Sequence, residues 1–243
     1  MKLSVIISCY NFENYIQQAI LSVLAQRTNF EFEILVRDDN STDKSYENIL
    51  PLSGYIKLLD STKNLGPYGN IKTLIDNCQG EYIAYLDGDD YWTEINKLQK
   101  QVDYMEQNKD CSMTFTGFWQ HDQNGFTPPI QIGWLSIPSM YENQELKIEN
   151  LVQTNPGTFG RVFRNIPGLF KDWMSQIRFL DWVTNYELSK YGRVKYLDFP
   201  GGVYRADGNG LLSSMKQEKI NEEMSEMREI IKADYTEWKN KTQ

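Results

Sequence analysis

The chain is poor in the side chains from which most metal centres and disulfide scaffolds are built. It has one histidine, His121, and three cysteines, Cys9, Cys78 and Cys111, in 243 residues. The cysteines are odd in number, far apart and set in apolar surroundings. That argues against a disulfide framework or a zinc site and fits reduced, buried thiols. His121 lies in a polar stretch and is expected to be exposed. Positive charge is also scarce: 25 Lys and Arg against 33 Asp and Glu give a net charge of -8, which offers no general attraction to nucleic acid or anionic lipid. No apolar run approaches transmembrane length. The apolar start, Met1 to Tyr10, is too short for a signal peptide and has no small-residue cleavage site. The expectation is a soluble, cytoplasmic protein with no nucleic-acid partner and no transmembrane segment.

What is present reads as one α/β domain. Buried strands are expected at Ser4 to Cys9, Glu33 to Val36, Tyr55 to Leu59 and Tyr82 to Leu86. Helices fall between them: one capped by Asn11 with Ile16, Ile20, Val23 and Leu24 on a face, one near Lys44 to Leu50, and one carrying Ile71, Leu74, Ile75 and Cys78 before the Gly80 stop. This alternation calls for a parallel, doubly wound sheet with right-handed crossovers. Beyond it come a helix near Glu94 to Gln107 and a strand from Cys111 to Trp119. The stretch 121–150 reads as irregular, with an Asn124-Gly125 turn and a Pro128-Pro129 break. A strand within Gly157 to Phe163, a helix from Asp181 to Lys190 and a strand from Arg193 to Phe199 follow.

Two acidic clusters sit where strands end, at the carboxyl edge where open α/β sheets place ligands. Asp38-Asp39-Asn40-Ser41-Thr42-Asp43 follows the second strand. Helix initiation accounts for one or two of these residues, but not readily for adjacent acids, which could accept hydrogen bonds from a nucleobase or a ribose. Asp87-Gly88-Asp89-Asp90 follows the fourth strand. A polar turn is the plain alternative, and the spacing does not match an EF-hand. Three carboxylates this close repel one another unless a cation intervenes, and Mg²⁺ or Mn²⁺ completed by a diphosphate suits them. Gly88 offers unusual φ/ψ and close ligand approach.

Taken together, Val5-Ile-Ile-Ser-Cys-Tyr-Asn11, Asp38 to Asp43 and Asp87 to Asp90 resemble the linked motifs of family 2 glycosyltransferases over roughly the first 120 residues. The resemblance implies a single GT-A type, Rossmann-like domain, and an inverting enzyme that is not processive, since the Gln-x-x-Arg-Trp motif is absent. By matching position it implies Tyr10 lining the base pocket, Asp39 on the nucleobase, Asp87 on ribose or metal, and Asp89 as metal ligand. It implies a general base at the start of a late helix, where Asp181 stands; a simple N-cap would explain that position equally. The segment Val203 to Ser214 resembles one that holds metal or diphosphate. Asp207 replaces the usual His there, and Arg205 is placed to contact phosphate. The strand after Asn155 resembles one facing the acceptor, with Thr158 and Trp182 as candidate contacts. Trp119, Trp134 and Phe159 are further candidates for stacking on sugars, with core packing the alternative for each.

The expected organisation is a domain over 1–215, divided into a nucleotide-binding half (1–120) and an acceptor half (121–215), followed by an amphipathic helix over 216–243. Ile220, Met224, Met227, Ile231 and Trp238 form the stripe of that helix, read as packing on the domain or a dimer contact, with peripheral membrane association disfavoured by its acidic polar face. The implied partners are a nucleoside diphosphate sugar, first of all a UDP-sugar, and a saccharide or lipid-linked saccharide acceptor. Assembly of bacterial surface polysaccharide at the inner face of the membrane is the setting implied. The rivals are a nucleotide-sugar-binding module without turnover and a sugar-nucleotide pyrophosphorylase, whose Gly-rich phosphate loop is missing.

Overall fold

The computed structural model describes residues 1–130, 145–153, 159–206 and 215–242. Its first half alternates as the sequence demands: β1 (Leu3–Cys9), α1 (Ile16–Leu24), β2 (Phe32–Asp38), α2 (Ser45–Ile49), β3 (Lys57–Leu58), α3 (Gly66–Asp76) and β4 (Tyr82–Asp87). β1 runs parallel to β2 on one side and to β4 on the other. Period-2 alternation sends Ile6 of β1 into one core layer and Leu3, Val5 and Ile7 into the other. Both faces are covered, which is why the strand reads as an unbroken apolar run. β3 is shorter than the run Tyr55 to Leu59 suggests. Among the described residues it pairs only with β2, at the sheet edge, and Tyr55 is 71% exposed; short edge strands leave little unpaired backbone.

The second half adds β5 (Tyr91–Trp92), α4 (Lys97–Gln107), β6 (Cys111–Asp122), β7 (Gly125–Ile130), β8 (Glu145–Leu146), α5 (Ile148–Gln153), β9 (Phe159–Arg164), α6 (Leu180–Ser189), β10 (Arg193–Arg205) and α7 (Gln217–Thr242). The sheet order is β3-β2-β1-β4-β9-β6-β10-β5, with β7 beside β6 and β8 beside β10. Its long ladders are parallel, and β9 enters antiparallel between β4 and β6. The fold is a single mixed α/β sheet of Rossmann type carrying a C-terminal helix.

Three departures from the sequence reading have local causes. Asn124-Gly125 does make a turn, with Gly125 at φ 100, but Pro128 and Pro129 lie inside β7. Among the described residues that strand pairs with β6 alone, and an edge strand tolerates residues without an N–H. His121 accordingly belongs to β6, half-buried with its ring centroid 4.6 Å from that of Phe126. β10 runs on past Phe199 to Arg205 because register shifts on either side of Pro200 let the ladder with β6 resume. The C-terminal helix is no departure: as the packing alternative expects, α7 lays Met227 and Ile231 into the core beside α6, with Ile220, Met224 and Tyr235 packed alongside. Its apolar stripe is thus largely spent on its own domain, while Trp238 stacks on Tyr235.

Candidate functional site

Because β1, β2 and β4 are parallel neighbours, their carboxyl ends open on one edge, and the loops after them are laced together. Asn11 does not cap α1, which starts after Tyr15 without a side-chain cap. It takes the left-handed conformation (φ 57), which Asn tolerates better than most residues. Its N–H donates to Ser41 Oγ at 2.9 Å, and its Oδ1 accepts from Thr42 N at 2.8 Å. Asp38 accepts from Ser41 N, and Asp43 accepts from Glu13 N and Ser45 N. Those two acids hold the loops together. Asp39 is set apart: it is 3% exposed, ion-paired to Arg37 Nη1 at 2.5 Å, and accepts the Leu65 N–H at 2.8 Å. Arg37 in turn donates to Asn70 Oδ1 and to the Lys63 carbonyl. Tyr10, next along from β1, is 45% exposed beside this crevice.

At the end of β4 the three clustered carboxylates take different roles. Asp87 opens to solvent but receives the Tyr85 hydroxyl, which also shares a 3.0 Å hydrogen bond with Ser8 Oγ. The protein crowding the Asp87 carboxyl pushes its pKa above the ordinary range, and Asp181 adds to this, while Tyr85, Arg161 and Ser8 oppose it. Asp90 turns inward, 3% exposed, and accepts the Arg205 N–H at 2.8 Å. Burial, then the charges of Asp89 and Asp87, raise its pKa well above the usual carboxylate value. Arg205 donates to the Asp89 carbonyl and to Gln18 Oε1, and its guanidinium lies 4.7 Å from the Tyr15 ring centroid and 4.6 Å from that of Tyr91. It therefore clamps the turn as well as standing near the place expected of a phosphate ligand. Gly88 does not take the left-handed conformation, but it has no room for a side chain. A Cβ there would lie 2.7 Å from the Ser8 carbonyl oxygen and 3.1 Å from the Phe12 ring.

No three His, Cys, Asp or Glu side chains among the described residues converge into a ready-made cation cage. Asp90 is engaged with Arg205 and buried, whereas Asp87 is exposed and Asp89 half-buried. One or two carboxylates are what a hard dication needs when waters and phosphate oxygens complete its shell, so this donor set fits one. Asp207, Thr158 and Trp134 lie outside the described residues.

The third station is the start of α6. Asp181 occupies its first turn, half-buried, within electrostatic reach of Asp87. Trp182, expected to meet the acceptor, is instead 1% exposed and donates its indole N–H to the Leu151 carbonyl at 2.6 Å. Successive residues on a helix point about 100° apart, so a first turn that leaves Asp181 at the edge drives its neighbour into the core. Phe159 is likewise a core residue, 9% exposed against Phe118, whereas Trp119 is half-buried.

Three residues of the site escaped the sequence reading. Arg37, one step before the acidic pair, was the most legible, as a lone base at the end of an apolar strand. Tyr85 looked like another apolar strand residue, and Arg161 like part of an acceptor strand. Arg37 and Tyr85 each have one partner two residues on and another far along the chain, Asn70 and Ser8, and Arg161 reaches Asp181 and Asn185 of α6.

Residues 4–165 match the family model described as Glycosyl transferase family 2. Among curated proteins, the chain is 40% identical over 106 residues to the Escherichia coli UDP-Glc:alpha-D-GlcNAc-diphosphoundecaprenol beta-1,3-glucosyltransferase WfgD, covering 43% of this chain and 41% of that one. It is 34% identical over 128 residues to the putative teichuronic acid biosynthesis glycosyltransferase TuaG of Bacillus subtilis, covering 50% and 48%. Over 221 residues it is 29% identical to an uncharacterised Mycobacterium bovis protein, covering 87% of this chain but 61% of that one. The chain thus spans less than two thirds of the length of these relatives. Among solved structures, Staphylococcus aureus TarS 1–349 in complex with UDP-GlcNAc superposes with a TM-score of 0.66 at 22% identity, covering 89% of this chain and 62% of that one. The Pyrobaculum calidifontis mannosyltransferase PcManGT, in complex with GDP-Man and Mn2+, gives 0.62 at 14% identity, covering 86% and 58%. At these identities the structural likeness speaks for the fold alone.

Proposed function

The chain belongs to glycosyl transferase family 2, and from that premise we propose that it moves one sugar from a nucleoside diphosphate donor, in the first instance a UDP-sugar, to a hydroxyl of a saccharide or lipid-linked saccharide acceptor, with inversion. The observation that carries this reading is the meeting of three acidic stations at one sheet edge: Asp39 after β2, Asp87 and Asp89 after β4, and Asp181 at the head of α6.

In this reading Asp39, held rigid by Arg37 and the Leu65 N–H, accepts the imide N–H of the base, and Tyr10 packs beside it. Asp89 and Asp87 would hold a Mn²⁺ or Mg²⁺ ion, which when bound would neutralise charge gathering on the departing nucleoside diphosphate. Arg205 steadies the turn that presents them. Asp181 takes the proton from the acceptor hydroxyl as its oxygen bonds to the anomeric carbon and the bond to the diphosphate oxygen breaks. The attack comes from the face opposite the diphosphate, which inverts the anomeric centre, through an oxocarbenium-like transition state. Assembly of a surface polysaccharide is the setting that WfgD and TuaG suggest.

Thermal-shift measurement with UDP, GDP and their common sugars, with and without Mn²⁺, tests the donor side. Selective binding raises apparent stability, and no stabilisation by any of them would refute the reading. Asp181→Asn tests the transfer side: it should lower turnover by about 100-fold or more while keeping Mn²⁺-dependent nucleotide binding. Normal turnover in that variant would remove Asp181 as the base, whereas Mn²⁺-dependent nucleotide binding without turnover in the parent would favour a donor-binding module.

A further inference from the structure

β9 carries one residue more than its partner. Val162 faces Thr114 and Phe159 faces Thr116, so Gly160 and Arg161 stand against the single residue Phe115. Gly160 takes the left-handed conformation (φ 62), as the first position of a glycine bulge does, and bulges beside functional sites re-aim a side chain. This one is held hard in place. Gln101 Nε2 donates to the Gly160 carbonyl at 2.9 Å, and a Cβ at Gly160 would lie 2.8 Å from both Lys97 Cε and Thr116 Oγ1.

The residue so aimed is Arg161, 7% exposed. Its guanidinium carbon sits 5.0 Å from the centroid of the Tyr85 ring, the ring whose hydroxyl donates to Asp87. Its Nη1 donates to the Asp181 carbonyl at 3.4 Å and to Asn185 Oδ1 at 3.3 Å, both on the first turns of α6. One buried cation therefore touches the support of Asp87 on one side and the backbone of Asp181 on the other. Among the described residues no acidic side chain is its hydrogen-bond partner, and its charge reaches Asp87 without a direct ion pair.

We propose that Arg161 is a positioning residue for sugar transfer, setting the head of α6, and with it Asp181, against the Asp87 end of β4. The inference rests on Asp181 being the base. Misplacing a reacting group by about 1 Å can cost on the order of 100-fold in rate, and Arg161→Met removes a side chain that spans both stations.

The test uses the 243-residue chain with Mn²⁺ and whichever of UDP-glucose, UDP-N-acetylglucosamine or GDP-mannose it turns over fastest, by transfer or by hydrolysis. Arg161→Met should lower kcat about 100-fold with the donor KM and Mn²⁺-dependent UDP affinity within about threefold of the parent. Arg161→Lys, which keeps the charge but not the planar fork, should recover only part of that loss. Added to Asp181→Asn, Arg161→Met should cost nothing further, because residues that act as a unit are not additive. Asn185→Ala, which removes one acceptor and leaves the buried charge in place, should lower kcat in the same direction and guards against a folding defect in the methionine variant. A full parental kcat in folded Arg161→Met would overturn the proposal. So would an equal loss of UDP affinity, or a loss that multiplies with that of Asp181→Asn. Parental turnover in Asp181→Asn would overturn the base assignment instead, and no turnover of any donor by the parent would remove the premise of both.

Discussion

Replacing Arg37 by Met separates what holds the candidate nucleotide pocket together from what would read the base. Arg37 and Asp39 side chains are 3% and 4% exposed and meet at 2.5 Å, so the substitution leaves a carboxylate in the interior with the Leu65 N–H as its remaining hydrogen-bond donor among the described residues. Breaking a buried pair from one side costs about 3–5 kcal/mol, most of it the uncompensated charge. Arg37 also serves Asn70 Oδ1 and the Lys63 carbonyl, which places the expectation toward the upper end. With an unfolding entropy of about 2.1 cal/mol/K per residue, the loss corresponds to a Tm lower by roughly 6–10 °C for a chain of this length. Arg37→Met/Asp39→Asn, with the charge gone from both sides, should regain most of that stability, yet neither variant should be stabilised by UDP. Differential scanning calorimetry with and without UDP and Mn²⁺ measures both effects. If Arg37→Met unfolds within about 1 kcal/mol of the parent, the buried pair does not tie this pocket together. UDP stabilisation of the double variant equal to the parent's would remove Asp39 from the base-recognition role.

Gly88→Ala should destabilise the chain by about 1–3 kcal/mol in urea unfolding, since the new methyl meets the Ser8 carbonyl oxygen and must part β1 from β4; unchanged stability would mean that the turn yields freely. Burial pushes the Cys78 thiol up to about 12, that of Cys111 up to about 11, and that of Cys9 higher still. Because the thiolate is the reactive form, all three should resist an aromatic disulfide reagent at pH 8 and react together on denaturation. Rapid labelling of any one in the folded chain would contradict its burial. Glu106 is depressed to about 2 by Lys109, Lys2 and Tyr82. Its contribution is present above the unfolded value near 4.5 and lost as pH falls toward 2, so Glu106→Gln should make the acid limb of stability shallower between those values. The side chain is a third exposed, so the effect should stay within about 1 kcal/mol and shrink in salt. A steeper limb would invert the assignment.

The sequence alone determined the parallel β-α alternation of the first ninety residues, the two acidic clusters at strand ends and the amphipathic C-terminal helix. Each is a local pattern: apolar periodicity, turn chemistry and charge within a few residues. What escaped it depended on partners far along the chain. That Asp39 takes the N–H of Leu65, 26 positions on, and that Asp90 is tied to Arg205, 115 positions away, is not written in the clusters themselves. Trp182 went into the core because α6 packs on α5 as well as on the sheet, and Arg161 reached Tyr85 only because a pinned glycine bulge turned it there. Burial, hydrogen-bond commitment and aim are properties of the packed sheet, and only tertiary structure assigned them.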